Sequence, residues 1–368
     1  MNANLKDTIE NLFDRKVSEH VVLTQKLFED EKTLSIMRKC NGDIHNGLDF
    51  NSNFKRTSYS YRREIIMEGS KFFIHYIPTR YLRSNEELLY ELGIKNRDIK
   101  RQYYEYDPSP DSPWLIYCEK NEFEKFLPPE VLSRTKQSTI FDYKELNPRG
   151  ELISVKLSSK DGSQEFNITY NWAPFKEDHF LVYANNNGNT VLKQTYHNKH
   201  TLWWMDDLLT RLNCADYRIF YNAKGAGHSM ETLHFQLIKN HFPVFEKLEH
   251  IYPNKASGLI HTTKHDWPFI GILARYKSDT KERILSDLEE KIKEWISESN
   301  NTFNLLCQMK GEYREFFFVF RERGLNYIEG ISNGIAGYEI AGNVIIENRE
   351  EFESFPDEID EIKLRREK

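Results

Sequence analysis

The stretch that decides the reading of this chain is residues 217–239, YRIFYNAKGAGHSMETLHFQLIK. It opens on an apolar run, Ile219-Phe220-Tyr221, of strand character. It then breaks at Asn222-Ala223-Lys224-Gly225-Ala226-Gly227, where two glycines and an asparagine permit positive φ and a close backbone approach to a ligand. A second extended run follows. Side chains alternate across a strand, so Thr232, His234 and Gln236 share one face while Leu233, Phe235 and Leu237 share the other. Burying the apolar trio leaves a histidine and a glutamine displayed beside a glycine-rich loop. That set suits phosphorus chemistry: a neutral imidazole attacks, the amide donates to phosphoryl oxygens, and loop N–H groups hold the remaining phosphate charge. Taken singly, a His-Phe-Gln in a strand is more often an edge or half-buried pair with no chemistry, and a Gly-x-Gly more often only a turn.

A resemblance adds to that reading. Residues 227–236, GHSMETLHFQ, resemble the G-x-S-x-x-H-x-H-x-Q motif of the transferase branch of the histidine-triad superfamily. That branch holds galactose-1-phosphate uridylyltransferase, the diadenosine tetraphosphate phosphorylases and the GDP-hexose phosphorylases. The resemblance implies that His234 is the nucleophile of a nucleotidyl-histidine intermediate, with Gln236 and Ser229 in the supporting catalytic roles. Thr232 stands where the branch has its first histidine. Residues 171–182, NWAPFKEDHFLV, resemble the N-x-x-P-(x4)-H-x-L strand–turn–strand element that precedes the motif in the superfamily. Asn171 is expected to line the nucleotide pocket, and His179 to brace the turn as a structural histidine. Asn222, Lys224, Gly225, Gly227 and Thr232 complete the expected substrate-binding set around the motif.

Two weaker likenesses flank this core. Residues 78–83, PTRYLR, are similar to a proline-arginine element of bacterial relatives of the GDP-hexose phosphorylases, making Arg80 and Arg83 candidate phosphate contacts. Residues 333–346 are similar to the C-terminal segment of those enzymes, where a second half-domain closes over the first; Arg321, Arg323 and Glu339 are the candidates there. The resemblance implies an α+β fold, two histidine-triad-like halves with antiparallel sheets and flanking helices. Its expected domains are a helical or loop extension over 1–60, a catalytic half over 61–250, a second half over 251–352 and a charged tail over 353–368.

Patterning along the chain agrees that strands alternate with helices. Residues 1–40 carry Ile9, Leu12, Phe13, Val21, Leu23 and Leu27 at helical spacing, a packing helix or oligomer arm compatible with a homodimer. Residues 71–77 read as a strand, 85–93 and 121–126 as helices, 113–118 as a strand, and 152–157 with 165–171 as a hairpin. Residues 199–212 form an amphipathic helix. Residues 242–253 read as a linker. Ile284, Leu288, Ile292 and Ile296 step by four through the clearest helix, 277–299, and a hairpin follows over 302–309 and 313–320.

Composition limits the function classes. The 368 residues carry a formal net charge of −6, which advertises no basic surface for nucleic acid. The four cysteines form no C-x-x-C pair, arguing for a reducing compartment and against a cysteine-built zinc site. No run approaches the roughly 20 apolar residues of a membrane span, so a cytoplasmic protein without membrane contact is expected. The expected partners are a nucleotide or nucleotide-sugar substrate and phosphate. No cofactor is required, although a divalent metal could ride on substrate phosphates. The expected activity is nucleotidyl transfer from a nucleoside diphosphate sugar or dinucleoside polyphosphate. The alternatives are a hydrolase of the same superfamily and an inactive nucleotide-binding sensor.

Overall fold

The structure is a computed structural model that describes residues 5–7, 9–11, 61–77, 144–146, 152–158, 164–171, 174–176, 178–185, 194–228, 233–253, 257–331, 333–346 and 349–366. Ser229, Thr232, Arg80 and Arg83 lie outside these residues, as do the strand expected at 113–118 and the helices expected at 85–93 and 121–126. The fold is α+β, with antiparallel sheets and flanking helices.

The chain divides into two compact units, each assembled from separate stretches. The first comprises residues 1–60, 77–193 and 230–234; the second comprises 61–76, 194–229 and 235–368. The boundary expected at 250 falls inside the second unit, and the division passes through the strand that carries the motif.

In the first unit, β3 (Lys144–Leu146), β4 (Leu152–Ser158), β5 (Glu165–Tyr170) and β6 (His179–Asn185) pair antiparallel in that order. β4 and β5 are the hairpin read from the sequence. Phe166, Ile168, Phe180 and Val182 supply its buried side chains. The Ala184 N–H of β6 donates to the Leu233 carbonyl at 2.9 Å, which joins the short 230–234 stretch to this unit.

The second unit is built on an antiparallel sheet in the order β8 (His234–Lys239), β7 (Tyr217–Asn222), β11 (Asn301–Lys310), β12 (Tyr313–Glu322), β10 (Gly271–Tyr276) and β9 (Gly258–His261). Facing residues in the register lie on the same side. Asn222, Asn304 and Val319 share one side with Phe220, Leu306 and Phe317, while Tyr221, Leu305 and Phe318 share the other. Helices α1 (Asn198–Leu212) and α3 (Lys281–Ile296) pack on that second side. Ile284, Leu288 and Ile292 of α3 are buried, as their four-residue steps predict. A buried ionic knot pins the two helices to the strands. Asp206 of α1 accepts from the Tyr276 hydroxyl at 2.7 Å and pairs with Lys281 of α3, and Arg314 Nε lies 3.2 Å away. Burial, and then the Asp206 charge, hold the Tyr276 hydroxyl well above its usual range.

A second, mixed sheet runs β14 (Asn343–Ile346), β2 (Ser70–Tyr76), β1 (Tyr61–Met67) and β15 (Glu358–Ile359). The region expected to be a linker forms helix α2 (Pro243–Ile251), the first correction. Proline at its first turn and buried Val244, Phe245 and Leu248 give a short helix its start and its apolar face. The charged tail carries two short strands. After α5 (Arg349–Ser354), β15 pairs parallel with β1, and β16 (Leu364–Arg365) pairs with β13 (Tyr327–Ile328). Phe355 and Ile362, 6% and 9% exposed, sink into the unit. The Ile362 N–H donates to the Glu68 carboxylate at 2.7 Å. Sparse apolar residues among charges are enough to dock the segment.

Burying a large aliphatic or aromatic side chain stabilises by about 1.5–3 kcal/mol. Deleting the chain beyond Ser354 is therefore expected to lower the thermal unfolding midpoint by several degrees and to sharpen proteolysis at β1. A truncated protein that melts with the full-length one would mean that the segment hangs free.

Candidate active site

β7 ends at Asn222, and a turn over 223–227 follows. Gly225 and Gly227 both have positive φ, +87° and +80°. The sequence predicts open space for a ligand at these glycines; the structure shows that chain fills it. A Cβ on Gly227 would lie 2.6 Å from the Ile335 carbonyl oxygen and 2.8 Å from Ala336 Cβ, and one on Gly225 would lie 3.1 Å from Arg323 Cγ. The loop N–H groups expected to cradle phosphate are largely engaged as well, which corrects that part of the reading. Ala223 N–H donates to Phe303 O, Lys224 N–H to Gln194 O, Gly225 N–H to His228 Nδ1 and Ala226 N–H to Ala223 O. A sharp turn packed against neighbours satisfies its own donors first, because a buried unpaired N–H costs as much as a lost hydrogen bond. The Lys224 side chain is exposed at the tip.

Beneath the loop lies a buried polar chain that the sequence reading missed. Asn304 of β11, 0% exposed, donates from Nδ2 to Asn222 Oδ1 at 2.8 Å and to the Ala226 carbonyl at 3.0 Å. Its Oδ1 accepts from Arg321 Nη1 at 2.8 Å. Arg321, 3% exposed, also donates from Nη2 to Leu325 O at 2.7 Å and Asn326 Oδ1 at 2.9 Å. Burial pulls its guanidinium down to about 10, against which Glu339 pulls it up, and this leaves it charged at neutral pH. Arg321 thus anchors strands and loop, while Arg323 presents an exposed guanidinium beside Gly225.

Asn222 is the meeting point. Its Oδ1 accepts a second donor, the Gly337 N–H, at 2.8 Å, and its backbone carbonyl accepts from Gln194 Nε2 at 2.8 Å. Among the described residues its Nδ2 has no hydrogen-bond partner, and the residue as a whole is 3% exposed. Gly337 opens the single-turn helix α4 (Gly337–Ile340), whose Glu339 carboxylate accepts from the Ala336 N–H at 2.8 Å. A side chain at 337 would meet Asn222 Oδ1 at 2.9 Å and Phe220 Cδ2 at 3.0 Å, so the segment lies directly on the Asn222 side of the sheet.

β8 carries the motif residues. Gln236 faces Phe220 in the register, on the same side as Asn222, and is half-buried; Phe235 and Leu237 on the other side are buried. The expected alternation holds only in part, because Ile238, on the Gln236 side, is fully buried. His234 begins the strand two residues before Gln236 and is 1% exposed, more enclosed than a displayed nucleophile was expected to be. In the first unit, His179 is fully buried and accepts the Phe175 N–H on Nδ1 at 3.1 Å, which places the ring proton on Nε2. The Asn171 N–H donates to the His179 carbonyl at 2.8 Å, and the Asn171 amide lies 3.5 Å from the ring. His179 thus braces the turn after β5, as expected. Among the described residues no group of three or more His, Cys, Asp or Glu could hold a metal ion. No helix there is long and apolar enough to cross a membrane.

No protein-family model matches the chain. No curated protein matches it either. Solved structures of yeast Ap4A phosphorylase Apa2 show a remote likeness. The complex with AMP has a TM-score of 0.45 at 12% identity, over 87% of this chain and 88% of that one. The complex with Ap4A has a TM-score of 0.46 at 11% identity, over 87% and 91%. A likeness this distant carries no argument about chemistry.

Gly227→Ala combines positive φ with a blocked Cβ, and is expected to destabilise by about 2–4 kcal/mol. Gly311, in the β11–β12 turn at φ +56° with nothing within 4 Å of an added Cβ, is the control: Gly311→Ala is expected to cost about 1 kcal/mol. Denaturant midpoints compare the two, and equal losses would contradict the packing of the 223–227 turn against 335–336.

Proposed function

We propose that the protein is a phosphorylase-type nucleotidyltransferase acting on a dinucleoside polyphosphate or nucleoside diphosphate sugar. The observation that carries the reading is the placement of Gln236 on the side of β8 on which Asn222 ends the neighbouring strand, with His234 two residues earlier in the chain. The reaction takes two displacements. An imidazole nitrogen of His234 attacks the α-phosphorus. The P–O bond to the leaving group breaks, and its oxygen departs with the electron pair as a nucleotide or sugar phosphate. A phosphate oxygen then attacks the nucleotidyl-histidine, the P–N bond returns its pair to the ring, and a nucleoside diphosphate leaves.

The side chains divide the work by chemistry. Histidine has a reference pKa of about 6.5, so an ordinary imidazole is largely available as a neutral nucleophile near pH 7. An amide at 236 can donate to equatorial phosphoryl oxygens without exchanging protons with the acceptor. The exposed Lys224 and Arg323, with Arg80 and Arg83 upstream, supply cations for the phosphate groups. Asn222 Nδ2, Ser229 and Thr232 are the neutral donors, and Asn171 is the residue assigned to the nucleotide. Any divalent ion would ride on the substrate phosphates. Phosphate, or a phosphorylated sugar, is the acceptor because an amide in place of a third histidine cannot act as acid and base for water.

His234→Ala is expected to abolish turnover, and Thr232→Ala to have a smaller effect. Full activity in a folded His234→Ala would end this mechanism. Gln236→Ala is expected to lower kcat by about 10²–10³ with KM little changed; a defect in KM alone would assign Gln236 to binding only. Product analysis tests the acceptor. Nucleoside diphosphate that forms only when phosphate is supplied supports transfer. Nucleoside monophosphate formed at an undiminished rate without phosphate would make the protein a hydrolase.

A further inference from the structure

An asparagine amide offers a donor at one end and an acceptor at the other, and a half-turn about its last bond exchanges them. For Asn222 the surroundings leave no choice. Asn304 Nδ2 and the Gly337 N–H, both donors and both 2.8 Å away, converge on one end of the amide, which must be the oxygen. Asn304 is fixed in turn: its oxygen faces the Arg321 guanidinium, which can only donate, and its nitrogen faces the Ala226 carbonyl, which can only accept. Each amide is therefore oriented by the next group inward, and the chain ends on a guanidinium with no acceptor capacity. The outcome at the other end of the Asn222 amide is a donor, Nδ2, at the residue where β7 ends.

We propose that Asn304 is a positioning residue for the reaction: it sets the polarity of the Asn222 amide so that a donor, and never an acceptor, faces the ligand. This rests on the nucleotidyl-transfer reading above and on Asn222 as a ligand group within it. A phosphoryl oxygen gains negative charge as displacement proceeds, so a misoriented amide acts chiefly on kcat. Arg321 belongs to the same device. Its buried guanidinium holds the Asn304 amide from behind, and Arg323 and Lys224 remain the exposed cations beside the loop.

Asn304→Asp isolates the claim. The carboxylate keeps the acceptor for Arg321 and the shape of the residue. It loses both donors, so only the Gly337 N–H still holds the Asn222 oxygen and the amide presents its donor to the ligand less of the time. Steady-state turnover is measured with inorganic phosphate and with diadenosine tetraphosphate or GDP-mannose, whichever the wild type uses. The expected result is a kcat lower by about 10–100-fold with KM within about threefold of wild type. A role through Asn222 also predicts strong non-additivity: in an Asn222→Ala background, Asn304→Asp should change kcat by no more than about twofold. Asn304→Ala, which removes both donors and adds no charge, serves in the same cycle if the aspartate variant does not fold. An unchanged kcat, or equal losses in the two backgrounds, would overturn the positioning role. A wild type that turns over neither donor removes the nucleotidyl-transfer reading and this inference with it, an outcome distinct from an active enzyme indifferent to position 304.

Discussion

The hydrogen bond between Asn304 and Asn222 is the constraint on which the rest of the candidate site depends. β7 must stop and reverse within a packed interior, and a reversing backbone presents carbonyls and N–H groups that need partners. Asn304 supplies them from the adjacent strand, taking both the Asn222 side chain and the Ala226 carbonyl. Thr302, two residues earlier on the same strand, donates from its hydroxyl to the Lys224 carbonyl at 2.8 Å. The Gly337 N–H closes the arrangement from above. A neutral buried hydrogen bond contributes about 1 kcal/mol net, whereas leaving such a group unpaired costs about 1–3 kcal/mol. The network is therefore held together more by the penalty for any missing member than by the strength of each bond.

That arrangement separates two tasks that the sequence alone could not separate. The buried face of the loop is structural: glycines at 225 and 227 let chain pack close, and the N–H groups from 223 to 226 serve the turn itself. The exposed side of the loop carries the Lys224 side chain at its tip and Arg323 beside Gly225.

The helix α3 and the β11–β12 hairpin were legible because each is a local pattern: steps of four, and paired apolar runs about a glycine. The helix α2 was not, since nine residues between prolines hold too few turns to show a period. β10 hides for a different reason. All six of its residues are buried, including Arg275, which pairs with Glu315 at 2.6 Å, so no polar alternation survives to mark it. Asn222 was recognised beside the motif and Arg321 as a candidate phosphate contact in the C-terminal half, but their partners are distant in sequence. Asn304 sits in an apolar run with nothing local to single it out, and only the register of β11 against β7 brings it to Asn222. Long-range pairing decides which polar residues are buried, and a single sequence does not carry that pairing.

The account stands most directly on whether His234 becomes covalently nucleotidylated. Protein incubated with α-phosphate-labelled donors in the absence of acceptor, quenched and digested, should yield one labelled peptide containing His234, stable to base and lost on treatment with acid or hydroxylamine. Added phosphate should chase the label into nucleoside diphosphate. Turnover of a donor without any labelled intermediate, or label on a peptide that lacks His234, would contradict it.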